Sequence, residues 1–590
     1  SQEVLRHPDE HVYRLGTLAM PAEATMAGAR EAGAVELFVA RTQAVDRRFV
    51  LSDQNVGPIV EICRRLDGIP LAIELAAARV PLLGVDAVRD RLHERFRLLT
   101  AGSRLALPRH QTLRAAFEWS YSLLSVAEQT VFNKLGVFGG SFSLECAQKL
   151  VADDRMDEWT VLDHLGALVD KSLVGVDDDG AARYRMLETT RAFALERLAA
   201  SGETSQTMRR HAEVMLELFE HVYQEVLEGT PSAMVIDKLS ADLDNLRGAL
   251  HWAGEEGGDR RIAIALFGAA VAGHGFFYYA PLKAAHWIET LRPLVDPSIP
   301  SADAARFWLA CASWSAVHSP IATIDDARRA VALYRDLDDR VGMCRGWTAL
   351  VYALQATGHA DEARLALDEL LALRDPAWPP WHLGLIDNIA ALVLFSVGDL
   401  SSARRHALAM LAACRQVSGD VDQCVALTIL IELDIVAGNV HAAAATAEEM
   451  LARHPALWEP TEDGRGLRTA ATALMSVDRL DEAEPLYREA LSRVFRNYGH
   501  GAPMFHDVAM FLALRDRIEA AARVFAYAER IHEVRRLSPR PVARHLRERL
   551  LTLLSAQLPA DVLSRLYDEG RQMTDDEARN LVFPAPISKV

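Results

Sequence analysis

The feature that most constrains this chain is a 40-residue period. Gly358, Gly398, Gly438 and Asp478 stand 40 residues apart, and Ala363, Ala403, Ala443 and Ala483 repeat at the same interval. The copies read GHADEARLALDEL, GDLSSARRHALAM, GNVHAAAATAEEM and DRLDEAEPLYREA, with weaker ones around Ala327 (DDARRAVALYRDL) and Ala521 (RIEAAARVFAYAE). Each unit predicts a helix, a turn at Gly or Asp, and a second helix whose first turn carries a small residue for close packing. Such a unit cannot bury its apolar face alone, so the copies are expected to stack into a superhelix with a concave groove. The alternative is an unrelated helical bundle with coincident Gly and Ala.

Length and charge narrow the rest. A chain of 590 residues exceeds one hydrophobic core, at roughly 150 residues per domain. Its six cysteines contain no CxxC pair and no His/Cys cluster at metal spacing, so neither a zinc site nor a disulfide framework is indicated. That usage reads as a reducing cytoplasm. A net charge of -17 argues against a chain-wide nucleic-acid surface, because phosphate binding needs a basic footprint. The start at Ser1 carries no basic and apolar leader, and the chain reads as a piece of something longer. The long apolar stretch Ile262 to Tyr279 is rich in Ala and Gly, contains His274 and is closed by Pro281; it predicts a buried helical hairpin, not a membrane span. No membrane partner is expected.

Only two places read as extended: SQEVL with HVYRL at the start, and the pair Ser172 to Val176 and Arg183 to Met186, joined through Asp177, Asp178, Asp179 and Gly180. An Asp-Gly turn between short alternating runs is a hairpin signal. The remainder has helical periodicity, so the fold class is mainly α. The repeats resemble the tetratricopeptide family in its longer, degenerate form.

In the first 200 residues, SQEVL, HVYRLGTLAMP, AVELFVARTQAV and IVEICRRLDGIPLAIELAAARV follow one another in an order that resembles an NB-ARC ATPase after its Walker B strand. That family belongs to the STAND class of signal-transducing P-loop ATPases. The resemblance implies that Ser1 and Gln2 end the sensor strand near the γ-phosphate. It also implies that Gly68 to Ala72 are the family's G-L-P-L motif, whose proline, here Pro70, packs on the adenine. Read physically, Gly68 ends one helix and Pro70 starts the next, which alone explains the pattern.

The following stretch, TLRAAFEWSYSLLSVAEQTVFNKLGVFGGSFSLECAQKLV and the hairpin ending YRMLETTRAFALERL, resembles the winged-helix domain of the same family, a regulatory lid on the nucleotide. Charge argues against DNA binding there. Residues 111 to 200 hold nine Lys and Arg against fourteen Asp and Glu, a net of -5, and the wing tip is three aspartates. The family's Met-His-Asp motif aligns with Met186, Leu187 and Glu188, so the histidine that would reach the β-phosphate is absent.

No GxxxxGK[ST] occurs, and no lysine follows a glycine. This chain therefore has no phosphate loop of its own, and the catalytic half is expected upstream of Ser1. The junction ADLDNLRGALHWAGEEG with the following AIALFGAAVAGHGFFYYAPLKAAHWIETL, and the closing LPADVLSRLYDEGRQMTDDEARNLV, where Thr574 and Glu577 fit a capping box, resemble bacterial ATPase-type transcriptional regulators. The expected domains are 1–20, the end of the P-loop core; 21–108, the NB-ARC helical domain; 109–200, the winged helix; 201–300, linker helices and a first hairpin; and 301–590, the superhelix with capping helices.

The resemblance implies the lid and sensor part of a signal-transducing ATPase that regulates transcription. Its cofactor would be ATP or ADP with Mg in the complete protein, with neither bound tightly by this chain. An inducer or partner protein would occupy the repeat groove, and DNA would be met only through an upstream N-terminal domain. Two alternatives stay open: a repeat scaffold without nucleotide control, and the regulatory part of an enzyme such as a nucleotide cyclase. No constellation of nucleophile, base and orienting acid stands out. His7 and His11 lack a third ligand and read as solvated. The run RRLSPRPVARHLRERL, with Arg535, Arg536, Arg540, Arg544, Arg547 and Arg549, reads as the polar face of capping helices, or else as a nucleic-acid contact. Trp287, Trp308, Trp314, Trp347, Tyr352, Trp378 and Trp381 read as repeat packing, or else as a ligand stripe.

Overall fold

The structure, a computed structural model, describes residues 17–583 apart from 22, 24, 91, 93–112, 178–181, 231–239, 273–280, 319, 418–419, 454–463 and 499–503. Ser1, Gln2, His7, His11, both predicted N-terminal strands and the aspartates 178 and 179 lie outside these residues. The chain divides into two units, one of residues 1–215 with 241–252, the other of 216–240 with 253–590.

The first unit opens with six short helices: α1 (Met26–Arg30), α2 (Gly33–Val45), α3 (Val56–Arg65), α4 (Pro70–Ala77), α5 (Val80–Leu83) and α6 (Val85–Asp90). They enclose a core of Phe38, Ile59, Val60, Ile62, Leu66 and Ile73. The winged helix follows, with α7 (Leu113–Ser122), α8 (Val126–Leu135), β1 (Phe142–Ser143), α9 (Leu144–Val151), α10 (Glu158–Asp170), β2 (Gly175–Asp177), β3 (Arg183–Arg185) and α11 (Glu188–Ser201). The predicted hairpin is there: β2 pairs antiparallel with β3, with Val176 opposite Tyr184, and β1 joins on the other side of β3. Ser125 and Glu128 form a reciprocal capping box that starts α8, satisfying two backbone donors that the helix itself cannot. Phe138 and Phe142 stack at 4.4 Å over the core. Two helices, α12 (Thr204–Leu227) and α13 (Leu243–Gly254), each contribute residues to both units.

The second unit is built of helical hairpins. After α14 (Arg260–Ala272) and α15 (Pro281–Leu291) come the pairs α16 (Ser301–His318) with α17 (Pro320–Asp336), α18 (Arg340–Ala356) with α19 (Ala360–Ala372), and α20 (Pro380–Ser396) with α21 (Leu400–Val417). The series continues as α22 (Asp420–Val436) with α23 (Val440–Arg453), α24 (Arg465–Ser476) with α25 (Leu480–Tyr498), and α26 (Phe505–Leu514) with α27 (Ile518–Arg535). Last are α28 (Pro541–Gln557), α29 (Ala560–Gln572) and α30 (Asp575–Val582), the last opened by the expected Thr574/Glu577 capping box. Residues 262–272 of α14 are all buried, and among the described residues no helix is long and apolar enough to cross a membrane.

The period has a direct physical cause. Gly358, Gly398, Gly438, Asp478 and Asp516 all have left-handed backbone, with φ between 61° and 87°. The next residue's N–H donates back five residues at each turn, as from His359 to Leu354 and from Arg517 to Leu512, both 2.9 Å. This closes the helix in a Schellman turn and reverses the chain. The alanines five residues on, from Ala363 to Ala521, are 1% exposed or less, as is Ala327, where the second helix presses against the first. Successive first helices also touch one another, α16 with α18, α18 with α20 and α22 with α24, and among the described residues the second helices make no comparable contacts. The first helices thus line the inner, more closely spaced side of the array.

Candidate functional site

The turn predicted to meet nucleotide begins where α3 ends. Asp67 and Gly68 are both left-handed, at φ 54° and 65°. Leu18 donates to the Gly68 carbonyl at 3.0 Å, and a Cβ at position 68 would lie 2.6 Å from the Leu18 carbonyl oxygen. Glycine is therefore required twice over, by conformation and by space. Pro70 then takes the first helical position of α4, where no N–H is needed, and its ring is exposed. That exposed apolar ring suits an adenine face. The ring and the turn carry no cation for a phosphate.

The sequence reading missed Asp67. Its carboxylate accepts from the Thr189 amide at 3.0 Å and lies 3.3 Å from the Thr189 hydroxyl. Thr189 is the second residue of α11, whose N-cap is Leu187, a side chain that offers no acceptor. Asp67 thus caps α11 from 122 residues away, supplying the oxygen that a Ser or Asp at the N-cap would give. Burial pushes the Asp67 carboxyl above its ordinary range, against the downward pull of the Thr189 amide. The contact ties the turn before Pro70 to the start of α11, next to Met186, Leu187 and Glu188, which align with the Met-His-Asp motif. Glu188 itself is held by Arg191 at 2.8 Å.

The surface a winged helix would turn to DNA is poor in free cations. Helix α10, the second of the helix-turn-helix, has no Lys or Arg, and Glu158, Trp159 and Asp163 on it are exposed. In the wing, Arg183 is taken by Asp242 at 2.8 Å and Arg185 lies 3.8 Å from Asp177. Lys171 is bound to Glu128 at 2.7 Å.

In the repeats, the aromatic residues resolve as packing. Trp287 and Trp308 are buried, and Trp308 has Arg329 and Arg292 over its ring at 4.6 and 5.4 Å. Trp347, Tyr352 and Trp378 pack partly buried against the core of α18 to α20; Trp381 lies under Arg345 at 5.9 Å, and Trp314 is half-buried. The arginine run is not a solvated face throughout. Arg540 pairs with Glu432, and Arg547 with Glu529 at 2.8 Å. A charge run looks solvated in sequence because its partners, 108 and 18 residues away, leave no local trace.

Residues 124–199 match the family described as a winged helix-turn-helix domain. A protein of Mycobacterium tuberculosis, "Putative HTH-type transcriptional regulator", is 36% identical over 339 residues, covering 54% of this chain and 36% of that protein; a relative of the same name in Mycobacterium bovis matches equally. An uncharacterized protein of Mycobacterium tuberculosis is 41% identical over 180 residues, 30% of this chain and 46% of that protein. The chain thus spans about a third to a half of the length of these curated relatives. Among solved structures, a STAND protein with a tetratricopeptide repeat sensor from Pyrococcus horikoshii superposes with TM-score 0.39 at 12% identity, covering 93% of this chain and 74% of that chain. A Rap protein complexed with competence and sporulation factor gives 0.38 at 14%, covering 63% and 97%. The chain carries a winged helix followed by a solenoid of helical hairpins, and over about half its length it is similar to proteins named putative HTH-type transcriptional regulators.

Proposed function

We propose that this chain is the lid and sensor part of a signal-transducing ATPase that regulates transcription. Its repeats receive an inducer or partner protein, and the winged helix and the turn at Gly68–Pro70 respond by loosening or tightening their hold on nucleotide in the complete protein. The observation that carries this reading is the Asp67 cap on α11, since it ties the turn beside Pro70 to the segment that stands where the lid's sensing motif would be. The acidic α10 supports a lid over a DNA reader, so a gel-shift with the chain at low salt should show no retardation, and salt-sensitive retardation would reverse that assignment.

Nucleotide affinity tests the reading. Burying one medium apolar contact such as Pro70 on adenine gives about 1 to 3 kcal/mol, whereas millimolar affinity needs ~4.1 kcal/mol. The chain alone should therefore bind ATP or ADP no better than about millimolar. A chain extended upstream through a phosphate loop should reach about micromolar affinity, since backbone amides, a lysine and magnesium then hold the phosphates, and Pro70→Ala in it should weaken binding. A micromolar calorimetric signal from the chain alone would mean that the nucleotide site lies elsewhere.

A further inference from the structure

The last hairpin departs from the pattern of the others. Arg536 is left-handed at φ 53°, and Leu537 donates to His532 at 2.9 Å, as in the hairpin turns. Yet α27 packs with α29 as much as with its own partner α26, while α28 lies along α26 and reaches α22. Apart from Arg547, which meets Glu529 on α27, its anchors are on first helices. Ser538 donates to the Ala356 carbonyl at the end of α18, at 2.7 Å, and Arg544 to the Ser396 carbonyl at the end of α20, at 2.9 Å. Arg540 pairs with Glu432 on α22 and lies 3.7 Å from Asp507 on α26. The segment from Ser538 through α28 therefore crosses the inner face of the array from α18 to α26, the side on which a helical-repeat protein receives its partner.

Charge defines what this face accepts. Glu432 and Asp507 are buried, with Arg468 between them at 3.4 and 3.3 Å and Arg465 also acting on Glu432. Removing Arg540 takes a paired cation away from two buried acids, a costly change. Glu529, which also bonds His506 at 2.8 Å, is met by Arg547. Along the same helix run Val542, Leu546, Leu550 and Leu554, each 1% exposed or less and spaced four apart as one helix face that begins between the two arginines and continues past Arg547. We propose that the inner face of the repeats is a docking surface for an arginine-bearing amphipathic helix of a partner protein, and that α28 occupies it until such a helix displaces it. The displacing helix carries two arginines seven residues apart, with an apolar stripe of period four that starts between them and runs on past the second. This inference rests on the reading that the repeats receive a partner, and deepens it by naming the partner's chemistry.

The test is competition by the chain's own segment. A labelled peptide of residues 536–557 is titrated by anisotropy into the whole chain and into its Arg540→Ala/Arg547→Ala variant. In the wild type the tethered α28 competes at an effective concentration of about millimolar, so the variant should bind the peptide at least tenfold more tightly. A peptide with both arginines replaced by alanine should lose that gain. Equal binding by the two chains, or equal binding of the two peptides, would overturn the proposal. Hydrogen exchange on the wild type provides a readout that no variant can spoil by misfolding: α28 should exchange at least tenfold faster than α27 and α29, and protection equal to theirs would also overturn it. Neither measurement involves nucleotide or DNA, so failure here would leave the regulatory reading standing.

Discussion

Two turns built on the same backbone device differ in what they can tolerate. The turn at Gly398 sits in a repeat, left-handed at φ 87°, with nothing within 4 Å of where a Cβ would be. The turn at Asp67 and Gly68 has the same handedness but is closed on both sides, by the Leu18 carbonyl and by Thr189. A repeat turn only has to reverse the chain, and five described hairpins turn this way, at Gly358, Gly398, Gly438, Asp478 and Asp516. The turn beside Pro70 reverses the chain and also joins segments distant in sequence. Identical local chemistry thus carries little long-range information in one region and much in the other.

The sharpest way to break this contrast is Gly68→Ala. Left-handed strain of about 1–2 kcal/mol adds to overpacking of about 1–3 kcal/mol, giving roughly 4 kcal/mol lost from the first unit. Because a chain of two units is not expected to unfold in one step, hydrogen exchange in α3 and α4 under increasing urea is the suitable readout. A loss no larger than that at Gly398 would mean that the contact with Leu18 relaxes freely.

Acid acts next, and in the first unit through one histidine. His211, on α12, is buried, and burial lowers it from 6.5 to about 4. The folded form therefore keeps it neutral while the unfolded chain takes a proton below pH 6.5, so stability falls as pH drops from 6.5 towards 4. Over that interval the loss is about 3 kcal/mol, at ~1.36 kcal/mol per unit. His211→Leu should flatten this part of the first unit's pH profile, measured as the difference between the two proteins so that titrating carboxylates cancel. Parallel profiles would show that His211 is protonated in the folded protein.

What the sequence made legible follows the same line. The repeats were readable because each turn, its Gly or Asp, and the alanine five residues later lie within one short stretch. The β-hairpin and the Thr574 capping box are equally local. The Asp67 cap was hidden because Leu187 looks like a poor N-cap until Asp67 is brought to it, and Asp67 looks like an ordinary turn residue. The place of α28 was hidden for a related reason: RRLSPRPVARHLRERL has the composition of a solvated helix, and only the fold delivers Glu432, Asp507 and Glu529 to it. Local turn chemistry is written in sequence; the pairing of charges across the array is not.

Asp67 itself gives a smaller effect. Asp67→Ala removes the acceptor of a buried amide and should cost about 2 kcal/mol, the upper range for losing a helix cap. Asp67→Asn keeps an acceptor, tolerates left-handed backbone and removes a carboxylate that burial already disfavours, so it should stay within about 0.5 kcal/mol of the wild type. Thermal unfolding of the first unit reads the difference. If Asn costs as much as Ala, the charge and not the hydrogen bond holds α11.

The smallest effect is at the repeat turn. Gly398→Ala meets no atom and should cost only the left-handed strain, about 1 kcal/mol. Gly398→Asp should cost less, about 0.5 kcal/mol, because a short polar side chain bonds locally in that conformation. The array already makes this substitution itself, with Asp478 and Asp516 at φ 65° and 61° in the equivalent turns. Urea titration read by hydrogen exchange in α20 and α21 resolves the ranking of wild type, Asp and Ala. Should Asp prove worse than Ala, the aspartates at 478 and 516 would owe their places to something outside the turn, and the five turns would not be interchangeable after all.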